Sequence, residues 1–285
     1  MTADTHILTL ACDDHPGIVA AVAGLLFSNG GNIVEAQQFD DAITGKFFMR
    51  VEFQLGATSS LDDVRSALDA IKPEHGFDFE LTPAGLRKRV VLLASKFHHC
   101  LADLLYRQRL NELQMDVVAI ISNHPVETYA NLNFGAIPFH YLPVSRGNKT
   151  EQEGQIRQLI NGLNVDLVVL ARYMQILSDE MAGYLSGRCI NIHHSFLPGF
   201  KGAKPYHQAH QRGVKLIGAT AHFVTADLDE GPIIEQDVLR VSHRDSPEDL
   251  VRKGRDIERQ VLSRAVRAFI EDRVMLNGST TVVFN

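Results

Sequence analysis

Residues 165–195 read VDLVVLARYMQILSDEMAGYLSGRCINIHHS. The stretch is an apolar run, a short segment with helical spacing, and a second apolar run that ends in an amide, two imidazoles and a hydroxyl. Strands separated by helices of this length need crossover connections, which make neighbouring strands parallel and bury them on both faces. Ligands of such sheets bind outside the carboxyl ends of the strands. The polar cluster of Asn191, His193 and His194 stands at such an end, so its residues are placed for chemistry and not for solubility.

The same alternation extends in both directions. Before it come VVLLAS as a buried strand, HHCLADLLYRQRLNELQ as a helix, MDVVAIISN as a strand, VETYANLNFG as a helix, IPFHYLPV as a strand and KTEQEGQIRQLINGLN as a helix. After it, AHFV and IIEQDVLRV read as extended, and SPEDLVRKGRDIERQVLSRAVRAFIEDR reads as one amphipathic helix capped by Ser246. The front of the chain is different. HILTLACDD, IVEAQQFDD, GKFFMRVEFQL and FDFELTP read as strands. HPGIVAAVAGLLFSNGGN is a helix with Pro16 in its first turn and Gly30-Gly31 at its end, and SLDDVRSALDAIKPEHG a helix capped by Ser60 and stopped before Pro73. The order βαββαβ is the ferredoxin-like arrangement, with both helices on one face of the sheet. TPAGLRKR carries the Pro, Gly and charge of a connection. The expected class is therefore α/β, with a ferredoxin-like domain over 1–84 and a doubly wound, mostly parallel sheet over 85–285.

Composition narrows the function classes. A 285-residue chain with 45% hydrophobic residues and a net charge of -6 offers no basic face for nucleic acid. No apolar run approaches the ~20 residues that span a bilayer, and the amino terminus lacks a signal-peptide pattern, so a cytoplasmic protein without membrane contact is expected. Cys12, Cys100 and Cys189 are far apart and in no redox or metal spacing, which reads as thiols in a reducing compartment. Of thirteen histidines, none forms an HExxH pair, and adjacent pairs such as His98/His99 and His193/His194 chelate poorly on regular backbone, so no metal is expected.

Along an extended segment alternate side chains share a face, so Asn191 and His193 converge while Ile192 packs inward. His194 should then lie on the opposite side, in a packing or loop-anchoring role. The loop TADLDEGP presents Asp227, Asp229 and Glu230. An amide donor, an imidazole and a carboxylate are the parts needed for attack on a carbonyl: the first two stabilise a developing oxyanion, and the third orients a nucleophile and relays its proton. His222, beside that loop, reads either as a support for Asp229 or as a hydrogen-bonded core histidine.

NIHHSFLPGFKGAKPYHQAHQRG followed by GATAHFVTADLDEGPIIEQ resembles the signature of folate-dependent formyltransferases, with its Asn-x-His, Ser-x-Leu-Pro and LDxGP runs. DDHPGIVAAVAGLLFSNGGNI resembles an ACT module, a small regulatory domain of the βαββαβ type. The two in this order are similar to the formyltetrahydrofolate deformylase family along nearly the entire chain. The resemblance implies hydrolysis of 10-formyltetrahydrofolate to formate and tetrahydrofolate, with formate fed to purine synthesis and no cofactor required. It assigns Asn191 and His193 to the formyl oxygen and Asp229 to water activation. It also implies a pterin pocket at Met174, Gln175, Ile176 and Leu177 with Val224 opposite, and an amino-acid effector near Asp13, Asp14, Gly17 and Asn32. Lys201 and Lys204 either meet the glutamate tail of folate or sit on a solvated loop. Sheet with one free face predicts a homo-oligomer. Two other readings stay open: transfer of the formyl group to an amine, and an amino-acid sensor with an inactive catalytic domain. The turn ASKFHHCLADLL after the first strand of the second domain has no glycine, which weakens backbone binding of an acceptor's phosphate and favours water.

Overall fold

The computed structural model describes residues 5–145, 147–195 and 205–285. The chain divides into two compact units, one of residues through Leu86 with Glu271–Asn277 and Val282–Asn285, the other of Arg87–Ile270 with Gly278–Thr281.

In the first unit β1 (Thr5–Asp13), α1 (Ile18–Ser28), β2 (Gly31–Asp41), β3 (Lys46–Leu55), α2 (Leu61–His75) and β4 (Asp78–Pro83) form one sheet of order β2-β3-β1-β4. All its pairings are antiparallel. Alternation along β3 sorts its side chains: Phe47, Met49, Val51, Phe53 and Leu55 join the core with residues of α1 and α2, while Phe48 and Arg50 face the other way. Two helix ends differ from expectation. Pro16 lies in the turn before α1, because Gly17 at φ 101° breaks the backbone there. Pro73 falls inside the last turn of α2 without ending it; the helix closes at Gly76, φ 65°. One missing N–H so near a helix end is tolerated.

The second unit runs β5 (Lys88–Ala94), α3 (His99–Arg109), β6 (Met115–Ser122), a 3-10 turn (Val126–Tyr129), β7 (Phe139–Tyr141), α4 (Lys149–Gly162) and β8 (Leu167–Leu170). It continues through α5 (Asp179–Tyr184), β9 (Cys189–His193), α6 (Pro205–Arg212), β10 (Leu216–Phe223), β11 (Ile233–Arg240) and α7 (Pro247–Ile270). The sheet order is β11-β10-β9-β8-β5-β6-β7, with β10 antiparallel to both its neighbours and every other pairing parallel. From β5 the chain steps outward to β6 and β7, then crosses to β8 on the other side, so the switch point lies at the carboxyl ends of β5 and β8. Val91, Leu93, Ala119, Ile121, Val168 and Leu170 pack with Ile156 and Ile160 of α4 and Met181 of α5.

The helix expected at 126–135 is only the 3-10 turn. Asn133 accepts the Gly135 N–H at 2.8 Å, and this local turn competes with helical pairing. Likewise α3 stops at Arg109, before Asn111 at φ 59°.

A carboxyl-terminal hairpin, β12 (Val274–Asn277) and β13 (Thr280–Val283), turns at Gly278, φ 60°. Met275, Val282 and Phe284 pack on Phe48, and buried Arg50 donates to the Glu271 carbonyl at 3.1 Å. The second face of the first sheet is thus partly covered by the chain itself.

Candidate active site

Antiparallel register between β9 and β10 sets His222 directly across from Asn191 and Thr220 across from His193. The four side chains therefore share one face, while Ile190 and Ile192 are buried on the other. His222, 2% exposed, holds the Phe223 carbonyl with Nδ1 at 2.9 Å. Nδ1 must carry the proton for that bond, which leaves the Nε2 lone pair to accept from Asn191 Nδ2 at 3.2 Å. The amide orientation of Asn191 is fixed by this contact.

The loop between β10 and β11 brings in the carboxylate. Asp229 takes φ 58°, a left-handed conformation that Asp tolerates better than most residues. Gly231 follows it, and a Cβ there would stand 1.8 Å from the Phe223 carbonyl oxygen. Only glycine lets the loop close on β10. Asp229 Oδ2 lies 3.1 Å from His193 Nδ1, and Oδ1 3.7 Å from His222 Nε2. Burial alone would raise the Asp229 pKa, but its contacts with the two histidines, the hydrogen bond from His193 foremost, together outweigh it and hold the carboxyl well below the usual carboxylate range. His193 Nε2 is buried and has no partner among the described residues.

A cleft of about 290 Å³ opens here. Asn191, His193, His222 and Asp229 line it, and so do Met174, Gln175, Ile176, Leu177 and Val224. The 174 segment is tied to β5: Ser95 Oγ accepts the Met174 N–H at 3.0 Å and donates to Asn123 Oδ1 at 2.7 Å.

His194 does not point away from His193. The strand ends at His193, so alternation no longer governs the next residue, and the two rings stack at 5.0 Å with 22° between planes. Arg172, absent from the sequence expectation, donates from Nη1 to His194 Nδ1 at 2.6 Å. Burial, then the Arg172 and His193 charges, lower the His194 pKa to about 4. Behind Arg172 lies Glu258 of α7, also unforeseen, with His99 and Tyr206 as partners. Its position among Leu250, Gly254, Ile257 and Val261 puts an acid on the apolar stripe of an amphipathic helix, and that is the signal that would have found it.

Among the described residues His99, Cys100 and Glu258 offer donor atoms within 4.8 Å of one another. They suit a cation poorly: the Glu258 carboxylate already receives His99 and Tyr206, and burial raises the Cys100 thiol pKa well above normal, so no thiolate is on offer.

In the first unit Asp13, Asp14 and Gly17 meet at the turn from β1 to α1, with Asp13 paired to Lys46 at 2.7 Å. Asn32 does not join them. It pairs with Gln54 at one end of β3 while Asp13 pairs with Lys46 at the other, a separation of roughly 26 Å at ~3.3 Å per residue. Lys201 and Lys204 lie outside the described residues, as does the Leu-Pro of the SFLPGF run. No helix among the described residues is long and apolar enough to cross a membrane.

A family model described as formyl transferase matches residues 88–266. The formyltetrahydrofolate deformylase of Corynebacterium sp. (strain P-1) is 48% identical over 98% of this chain and 97% of its own. That of Synechocystis sp. is 48% identical over 98% of both. The crystal structure of a formyltetrahydrofolate deformylase from Burkholderia mallei superposes with a TM-score of 0.92 at 48% identity, covering 99% of this chain and 100% of its own. Glycinamide ribonucleotide transformylase 1 from Symbiobacterium toebii reaches a TM-score of 0.64 at 30% identity, covering 71% of this chain and 97% of its own. The transformylase is matched over part of the chain, and likeness along the whole chain is found with the deformylases: the chain belongs to the formyltetrahydrofolate deformylase family.

Proposed function

We propose that the chain hydrolyses 10-formyltetrahydrofolate to formate and tetrahydrofolate in the cleft at the ends of β8, β9 and β10. The observation that carries this reading is the meeting of Asn191, His193 and Asp229 at one end of an apolar cleft lined by Met174 to Leu177 and Val224. In this scheme the pterin lies along that apolar wall and the formyl group reaches the polar end.

Water attacks the formyl carbon, and the carbonyl electron pair moves to oxygen. Asn191 Nδ2–H and protonated His193 stabilise that charge as it develops, which only preorganised donors in a water-poor site do well. Asp229 is ionised throughout the neutral range and holds the water through Oδ1, its less engaged oxygen. The proton leaving water is relayed to the folate nitrogen as the C–N bond breaks, which releases formate. The reaction closes on the chain's own side chains and water, with no further cofactor.

Water as the acceptor is favoured by the turn after β5. It contains no glycine, and its Ser95 side chain is engaged with Met174 N and Asn123, whereas a phosphate-bearing acceptor needs closely approached, open amides. The test is formate release from 10-formyltetrahydrofolate without any amine. Turnover that requires an added amine would make the chain a transferase, and tight binding of an amino acid with no turnover would make it a sensor.

The βαββαβ topology of the first unit supports a regulatory ACT role for residues 1–84. An amino-acid effector would meet Asp13, Asp14 and Gly17, without Asn32 from the same chain. Edge strand β2, with Val34 at 55% and Phe39 at 44% exposure, supports self-association through the sheet edge.

A further inference from the structure

A buried chain of polar groups ends on His193, and the chemistry above makes no use of it. Glu258, 1% exposed, accepts from Tyr206 Oη at 2.7 Å, pairs with His99 Nε2 at 2.7 Å, and faces Arg172 Nε at 3.4 Å. Although burial opposes ionisation, the His99 hydrogen bond and the Arg172 charge prevail and lower the Glu258 pKa. Tyr206 reaches the carboxylate because α7 has a glycine where its ring lies: a Cβ on Gly254 would stand 2.1 Å from that ring. Arg172 passes the constraint on through Nη1 to His194 Nδ1, and the His194 ring stacks on His193.

Each link fixes the next. Arg172 Nε has no hydrogen-bond partner among the described residues, so Glu258 orients the guanidinium by charge across 3.4 Å in a buried site. A neutral imidazole accepting at Nδ1 has both its tautomer and its ring plane set. A plane so set limits how far the stacked His193 ring can turn about its own axis, and that rotation is the one that would break the 3.1 Å contact from His193 Nδ1 to Asp229.

We propose that Glu258, acting through Arg172 and His194, is a positioning residue for His193: His194 fixes the face of the ring and Asp229 its edge. The inference rests on the reading of His193 and Asp229 as catalytic. Glu258 and Tyr206 are absent from the wall of the cleft, while Arg172 and His194 line it. An effect of Glu258 on turnover must therefore travel along the chain, and should appear in kcat and not in KM.

The test uses the full chain with Glu258→Gln, Tyr206→Phe, His194→Phe and the double variant Glu258→Gln/His194→Phe. His194→Phe keeps a ring in the stack and removes the acceptor of Arg172. The expected result is a fall in kcat of about tenfold or more for Glu258→Gln, with KM changed by less than about twofold, since misplacing a reacting group by an ångström costs on the order of a hundredfold. Tyr206→Phe shows the same split with a smaller loss, and carries the test should Glu258→Gln fail to fold. The double variant is no slower than the slower single variant, because both break one chain; independent packing defects would multiply. Unchanged kcat in folded Glu258→Gln and Tyr206→Phe, or multiplied losses in the double variant, overturns the proposal. Asp229→Asn run alongside separates the two readings. If it retains full turnover, the site itself is misread; if it abolishes turnover while Glu258→Gln does not affect it, only the positioning chain is wrong.

Discussion

Asp13, the last residue of β1, and Asp229, in the loop between β10 and β11, are each near a glycine and each in an acid–base pair of about 3 Å. Lys46 lies 2.7 Å from Asp13, and His193 lies 3.1 Å from Asp229. Their surroundings differ. The Asp13 and Lys46 side chains are 87% and 46% exposed, whereas Asp229 is 26% exposed, against His193 at 11% and His222 at 3%. Solvent and salt screen the first pair; protein walls leave the second almost unscreened. The glycines differ as well. Gly17 is there for its backbone angle and has open space around it, while Gly231 is there because the Phe223 carbonyl fills the place of a side chain. Two acid–base pairs of similar length thus sit in different surroundings, and the closing of the loop makes the difference.

The strongest challenge to this contrast is Asp229→Asn. Turnover should fall on the order of 10²–10⁴-fold with folate affinity retained, as measured by single-turnover formate release and equilibrium binding. Asn191→Ala should follow with a loss of ~10²–10³-fold in kcat, the usual effect of removing one oxyanion donor. Gly231→Ala probes the closure itself. It should lower kcat and reduce stability by roughly 1–3 kcal/mol in a denaturant titration, as overpacking does; wild-type rates would mean that the loop need not close on β10.

Proton linkage gives a gentler probe. His194 is held neutral with its pKa lowered to about 4, against ~6.5 in the unfolded chain. Between these values the unfolded state binds the extra proton, so the stability supplied by neutral His194 is complete above pH ~6.5. It is lost as pH falls toward 4, by about 3 kcal/mol across the window. The acid-induced loss seen in urea titrations from pH 7 to pH 5 should be smaller in His194→Phe. Asp13→Asn stands last, with no resolvable change in basal turnover or unfolding midpoint. A drop in basal turnover there would break the comparison outright.

Much of this was legible in the chain before its coordinates. Period-two alternation places Asn191 and His193 on one face, a local pattern that β9 realises; the choice of Asp229 from the LDEGP run as their partner comes from the resemblance, because that meeting is long-range. His222 could be named but not oriented, because its role depends on the register between β9 and β10, a long-range pairing. Arg172, in a bend just past β8, and Glu258, inside α7, escaped notice because each is a single charge, and what distinguishes them is burial against partners nearly ninety residues apart. The hairpin at the carboxyl end did leave a local trace, Asn277-Gly278 between apolar residues, a strong turn signal that the long preceding helix overshadowed.

That hairpin orders events during synthesis. The sheet of the first unit is translated early, yet Phe48 and Arg50 on its second face wait for residues 271–285 to cover them. A ribosome therefore holds a half-dressed amino-terminal sheet until the whole α/β portion has emerged, and a chain stopped before Glu271 would keep every proposed catalytic group while leaving an aromatic ring and a guanidinium bare.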